Sequence, residues 1–184
     1  MKKKFIYIQI VILFILLNTS IYSQTCYNNF RGKRYKFVLE KVIDGDTYKG
    51  YINGKLYKVR LLGIDTPEIP HGNDKISKNK PNKFYGISKD ILDIYGKKAT
   101  LYVKNIIHKR DILTLMCLNK RDKYKRLLCY VKKNDLIINE ILLKKGLARS
   151  YPFSKHPCYD RYRLLEIRAI CNKKGLWKNL SLSP

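Results

Sequence analysis

The sequence predicts an α+β fold, a small β-barrel with three helices packed on it, and three observations carry that reading. Asn53-Gly54 stands between two alternating runs, residues 47–52 and 55–62. It is the strongest short hairpin signal a sequence offers, because both turn positions need positive φ. Further strand-like runs precede and follow that hairpin. Three helical stripes each end near a glycine. A length of 184 residues suits one domain with a short appendage.

Taken in order, Lys2, Lys3 and Lys4 precede an apolar run ending at Leu17. That is a basic head and core of export-signal length, short for a membrane span. Ser20 and Ser23 are small enough for cleavage but lack an Ala-x-Ala context. Residues 1–24 therefore stand as a signal peptide or an uncleaved membrane anchor. Lipidation at Cys26 is a weaker third reading, since the usual leucine and small residues before it are missing. Export is expected in each case, to a secreted, periplasmic or surface-anchored state. Residues 25–34 read as a connector and 35–180 as the folded domain.

Within that domain residues 35–43 alternate as a first strand. Residues 71–83 hold four lysines and no apolar periodicity, the pattern of a mobile basic loop behind Glu68. Ile87, Ile91, Leu92 and Tyr95 share one helical face, with Gly96 as the expected stop. Residues 99–107, 112–118 and 127–131 read as strands, with a polar turn at 120–125. Residues 138–145 form a short helix closed by Gly146. Residues 159–173 form a longer one, with Tyr162, Leu165 and Ala169 on one stripe and Gly175 after it. Trp177 reads as a core plug. No internal repeat is visible.

Lys and Arg number 39 against 14 Asp and Glu, a net charge of +25, or +22 without the three lysines of residues 1–24. Such a surplus favours a polyanion partner through counterion release and steering. A codon bias towards Lys, Ile, Asn and Tyr is a bland account of part of it.

The chemistry concentrates in residues 42–68. Asp44, Asp46, Asp65 and Glu68 supply carboxylates from the two ends of one hairpin, the oxygen donors that hard cations such as Ca²⁺ take. A two-residue turn pairs Ile52 with Lys55, so Thr47 lies opposite Arg60 and Asp46 opposite Leu61. Ideal pleating puts Asp46 and Arg60 on opposite faces, so their convergence needs irregular backbone near Gly45. An EF-hand is excluded, because its sixth position would be Lys49 and its twelfth Lys55. Taken as isolated residues, the acids read better as hairpin-end salt bridges to a very basic surface.

VIDGDT, then RLLGIDTPE, then RDKYKRLLCYV and a closing GLW, in this order and spacing, resemble the staphylococcal nuclease (thermonuclease) family over residues 35–180. The resemblance implies a five-stranded OB-fold barrel with three helices, calcium-dependent cleavage of DNA and RNA, and 3′-phosphate products. By position it makes Asp46 and Asp65 the calcium carboxylates and Thr66 the donor of a backbone carbonyl. Glu68 becomes the residue that orients or deprotonates the attacking water, and Arg60 and Arg126 the phosphate-binding arginines. Asp44 fits a supporting role better than direct ligation. Lys123 and Tyr124 match positions holding a terminal phosphate. Tyr151, with Phe153 as a second candidate, falls where a base stacks, which suits single-stranded substrate. A monomer without a protein partner is expected. One departure stands out, since the family usually has Gly where this chain has Lys125. Either that turn is rebuilt, or a lysine takes positive φ at about 1–2 kcal/mol.

Five cysteines leave one unpaired. Cys117 and Cys129 lie symmetrically about Lys123 and face each other if the hairpin turns there, while a buried free thiol at Cys129 fits equally well. Cys158 and Cys171 are separated by a helix of about 20 Å, too far for a bridge unless Cys158 folds back. His156, Cys158 and Cys171 match no common zinc spacing. Two readings of the whole remain. One is an exported calcium-dependent nuclease. The other is a catalytically silent OB-fold module binding single strands, which would not need carboxylates beside its polyanion.

Overall fold

The computed structural model describes residues 26–69, 79–151 and 156–180. The chain divides into two compact units, residues 1–31 and 32–184. In the first, residues 26–28 form one helical turn. The export segment 1–24, most of the basic loop and Phe153 lie outside the described residues.

The second unit is an α+β domain built on a closed five-stranded barrel. Strand β1 (Lys33–Val42) pairs antiparallel with β2 (Thr47–Ile52) and β5 (Ile112–Arg121), β2 pairs with β3 (Lys55–Leu61), and β5 with β6 (Leu127–Lys133). A parallel seam of β3 on β6 closes the ring, matching Val59 with Leu127 and Arg60 with Leu128. Alternation drives this closure. Phe37 and Leu39, Tyr48 and Ile52, Val59 and Leu61, Leu113 and Leu115 all turn inward and are buried. Outside the ring, β4 (Ile64–Asp65) pairs with β8 (Arg149–Ser150), and β7 (Leu136–Ile137) extends β6.

The hairpin register is the one counted from Asn53-Gly54, with Thr47 opposite Arg60 and φ of 47° and 75° in the turn. β5 runs to Arg121, so Lys120 and Arg121 belong to the strand and the turn shortens to residues 122–126. Cys117 and Cys129 are register partners and form a disulfide. Cys171 is free and exposed.

The expectation of a helix stopping at Gly96 and a strand at 99–107 is wrong. Helix α1 (Lys89–Ile106) runs through both. Leu92, Gly96, Ala99, Thr100 and Val103 recur at helical spacing and are its buried face. Thr100, Tyr102, Val103 and Ile106 carry the side chains that imitate a strand. Gly96 is kept for contact rather than termination, since a Cβ there would lie 2.6 Å from the Glu68 carbonyl oxygen and 2.7 Å from that of Pro67.

Helix α2 (Ile138–Lys144) ends as expected before Gly146, and α3 (Tyr159–Cys171) buries Tyr162, Leu165 and Ala169. Trp177 plugs a cluster of Phe84, Ile87, Leu92, Ala169 and Leu176, which ties α1, α3 and the C-terminal 3₁₀ turn Gly175–Asn179 together. Among the described residues no helix is long and apolar enough to cross a membrane.

His156 is buried among Tyr130, Tyr159 and Tyr162, with Nδ1 2.7 Å from the Tyr130 hydroxyl. Among the described residues its Nε2 has no hydrogen-bond partner. Burial pushes the imidazole down to about 4 from 6.5. The unfolded chain therefore takes up a proton before the native one does. Its stabilising share is complete above pH 6.5 and is lost as pH falls towards 4. Urea titrations should show His156→Gln removing on the order of 3 kcal/mol of acid sensitivity across that window. An unchanged pH slope would contradict the burial argument.

Candidate active site

The site begins where the hairpin's two ends meet. Between β1 and β2 the backbone bends at Asp44–Asp46. Asp44 Oδ1 accepts the Asp46 N–H at 3.0 Å, and the Thr47 carbonyl accepts from Ile43 and Asp44 at 2.9 and 3.3 Å. This is the irregular backbone that the count required, and it turns Asp46 towards Arg60. Gly45 permits it, since a Cβ there would sit 2.9 Å from Ala99 and Thr66 side-chain atoms.

Thr66 donates its N–H and hydroxyl to Asp46 Oδ2 at 2.7 and 2.9 Å. The other oxygen, Oδ1, accepts from the Thr47 hydroxyl at 3.1 Å and faces Arg60 Nη1. Arg60 Nη2 donates to Asp65 Oδ1 at 2.5 Å. Behind Asp65, Arg149 donates to Oδ2 from Nη2 and Nε at 3.0 and 3.3 Å, a pair set by the β4–β8 register. One guanidinium thus lies between two buried carboxylates that would otherwise repel each other.

The second arginine comes from the turn after β5. Asp122 Oδ1 accepts the N–H groups of Tyr124 and Arg126, both at 2.9 Å, and Oδ2 accepts Arg126 Nε at 2.7 Å. Burial alone would raise the Asp122 carboxyl, but these bonds to Arg126 hold it below the ordinary value. Arg126 Nη1 reaches the Thr47 hydroxyl at 3.4 Å, which draws it to the Arg60 side of the barrel. Lys125 has φ of 60°, so the turn keeps its left-handed position and the lysine occupies it.

Glu68 stands exposed at the mouth of the cleft. Desolvation raises its carboxyl above the ordinary value, with Asp44 and Asp65 adding and Arg60 and Lys83 opposing. Its backbone is clamped from outside. Asn79 accepts the Glu68 N–H at 2.8 Å, donates to the Glu68 carbonyl at 3.0 Å, and donates to Asp93 at 2.5 Å. Asp44, Asp46, Arg60, Asp65, Glu68, Lys123, Tyr124, Arg126 and Tyr151 line one cleft of about 400 Å³. Thr66 supports it through Asp46.

Sequence reasoning missed Asn79, Arg149, Gly96 and the anchoring role of Asp122. Asn79 sits in a basic run without periodicity, and Arg149 follows a helix in an ordinary stretch. Only the Asp122-Lys123-Tyr124 run carried a signal. Among the described residues no three acidic, histidine or cysteine side chains form a ready-made metal cage. The donor set nonetheless suits a hard cation, since Asp46 and Asp65 aim oxygens at a space now spanned by a guanidinium's positive charge. Two carboxylates completed by water and phosphate are an ordinary set for such ions.

A family model described as "Staphylococcal nuclease homologue" matches residues 58–179. Endonuclease YncB of Bacillus subtilis (strain 168) is 35% identical over 148 residues, covering 79% of this chain and 63% of its own. Thermonuclease of Staphylococcus intermedius is 30% identical over 156 residues, 85% and 80% of the two chains. An uncharacterized protein of Methanocaldococcus jannaschii is 34% identical over 168 residues, 82% and 78%. The matched family region includes Arg60, Asp65, Glu68 and Arg126; Asp46 lies before it and joins through its contact with Arg60.

Because Lys125 carries left-handed strain, Lys125→Gly should raise unfolding stability by about 1 kcal/mol in urea titration, provided Arg126 keeps its bonds to Asp122. Destabilisation would mean that the lysine side chain makes contacts that outweigh the strain.

Proposed function

The chain belongs to the staphylococcal nuclease family, and from that premise we propose that it is an exported, calcium-dependent nuclease. It hydrolyses phosphodiester bonds of DNA and RNA, prefers single strands and leaves 3′-phosphate ends. The observation that carries this reading is the Arg60 guanidinium held between Asp46 and Asp65, in the cleft that also holds Arg126 and Glu68. Export rests on the basic head and apolar run of residues 1–24.

Asp46, Asp65 and the Thr66 backbone carbonyl would hold the calcium. When bound, that ion polarises the phosphate and lowers the pKa of a bound water. The chain's own residues supply the rest. Arg60 and Arg126 are forked donors suited to the charge that grows on the equatorial phosphate oxygens. Asp122 fixes the Arg126 fork before substrate arrives, so little reorganisation is needed during reaction. Glu68 orients the attacking water and accepts its proton at the carboxylate, a task helped by partial desolvation and the nearby Asp44 and Asp65, which raise its carboxyl from the ordinary value. Lys123 takes the terminal phosphate, and the exposed ring of Tyr124 and that of Tyr151 flank the nucleotide. A silent binding module is disfavoured, because buried carboxylates facing the cleft would repel a polyanion.

Incubating the chain with single-stranded DNA should give cleavage in calcium and none in excess chelator; cleavage that persists in chelator would sink the calcium mechanism. Glu68→Gln should lose roughly 100-fold or more in turnover while nucleotide affinity stays within about twofold. Near-normal turnover in that variant would remove Glu68 from the reaction.

A further inference from the structure

Glu68 meets the cleft from an exposed position, and among the described residues its carboxylate has no hydrogen-bond or ion-pair partner. Where that carboxylate sits is therefore set by the backbone that carries it. As far as Pro67 the site itself fixes that backbone, since the Thr66 N–H is donated to Asp46 and the proline ring restricts φ. At Glu68 a different restraint takes over.

That restraint is Asn79, 11 residues further on and only 3% exposed. Its side-chain oxygen accepts the Glu68 N–H at 2.8 Å, while its nitrogen donates to the Glu68 carbonyl at 3.0 Å and to Asp93 Oδ1 at 2.5 Å. One carboxamide thus satisfies both backbone groups of a single residue and fastens them to α1. An amide supplies the one acceptor and two donors that this needs. An aspartate would lack the donors and meet Asp93 as a like charge. Gly96, about one turn along α1 from Asp93, touches the same backbone, where a Cβ would stand 2.6 Å from the Glu68 carbonyl oxygen. The helix is itself anchored in the core by Leu92, Ala99 and Val103. It grips the backbone of one exposed residue twice, through Asn79 and through Gly96. Glu68 adds no side chain to the core, so the grip serves the placement of its carboxylate.

We propose that Asn79 is a positioning residue for the reaction, whose carboxamide locks the Glu68 backbone to helix α1 and so fixes where the Glu68 carboxylate enters the cleft. The inference rests on the nuclease reading above and names the part that aims its water-activating group. Asn79 touches neither substrate nor calcium and acts only through Glu68. A misplacement of about 1 Å at a reacting group costs up to about 100-fold in rate, so a tether of this kind bears on turnover rather than on substrate affinity.

The test is a double-mutant cycle on single-stranded DNA in calcium, comparing wild type, Asn79→Ala, Glu68→Gln and the two combined. Asn79→Ala should lower kcat on the order of tenfold with KM within about twofold. In the Glu68→Gln background the same change should cost less than about twofold, because the group it aims is already gone. Exchange of the Glu68 amide hydrogen should quicken on the order of tenfold in Asn79→Ala. Asn79→Asp keeps the side chain's shape and its acceptor for that N–H; it should lower kcat likewise, and it carries the cycle if the alanine variant does not fold. An equal loss in both backgrounds, or an unchanged kcat in both Asn79 variants, overturns the proposal and leaves the nuclease reading intact. Near-normal turnover of Glu68→Gln overturns it too, by removing the group that Asn79 aims. If the wild type cleaves nothing, the nuclease reading fails and the catalytic role of Asn79 with it, while exchange at the Glu68 amide still decides the clamp.

Discussion

The Arg60 guanidinium between Asp46 and Asp65 is the interaction on which the rest of the structure depends. All three side chains are largely buried, and breaking a buried pair of this kind costs about 3–5 kcal/mol because a charge is left without its partner. The surroundings hold the acids rather than the arginine. Thr66 and Thr47 bind Asp46, and Arg149 binds the far oxygen of Asp65. The two carboxylates are therefore fixed from behind, while Arg60 is held chiefly by the charges it spans. An arginine in that position puts a positive charge where the proposed function places a calcium ion.

The barrel makes this possible through β3. That strand is antiparallel to β2 on one side and parallel to β6 on the other, so Arg60 lies between Thr47 and Leu128. Arg126 immediately precedes β6 and is drawn to Thr47. Helix α1 meets the same centre from outside, where the absence of a side chain at Gly96 lets it press on the Pro67–Glu68 backbone. Fold and site are one construction, because the seam that closes the barrel also brings the two arginines to one cleft.

How much of this was legible follows from the range of each interaction. The Asn53-Gly54 turn is local, so the hairpin and its register could be counted from the sequence, whereas the meeting of Asp46 with Arg60 needed the irregular backbone at Asp44–Asp46 that counting could only require. The Cys117 and Cys129 pairing followed from the same arithmetic, though a free thiol fitted equally well. Helix α1 was misread because local propensity at Thr100, Tyr102 and Val103 favours strands, and the packing that overrides it is tertiary. Asn79 and Arg149 act across 11 and 84 residues, and nothing in their own neighbourhood distinguishes them. Lys125 shows the opposite case, a residue that breaks a local rule while the Asp122 bonds preserve the turn.

If Arg60 occupies the place of a cation, removing it should improve metal binding while ending catalysis. Calorimetric titration of calcium into the wild type and into Arg60→Ala is the direct measurement. The account predicts that the variant binds calcium on the order of tenfold more tightly, since a competing positive charge is gone and two carboxylates are left facing each other. Equal or weaker calcium binding by Arg60→Ala would contradict it, because Asp46 and Asp65 would then not be the acids that hold the ion.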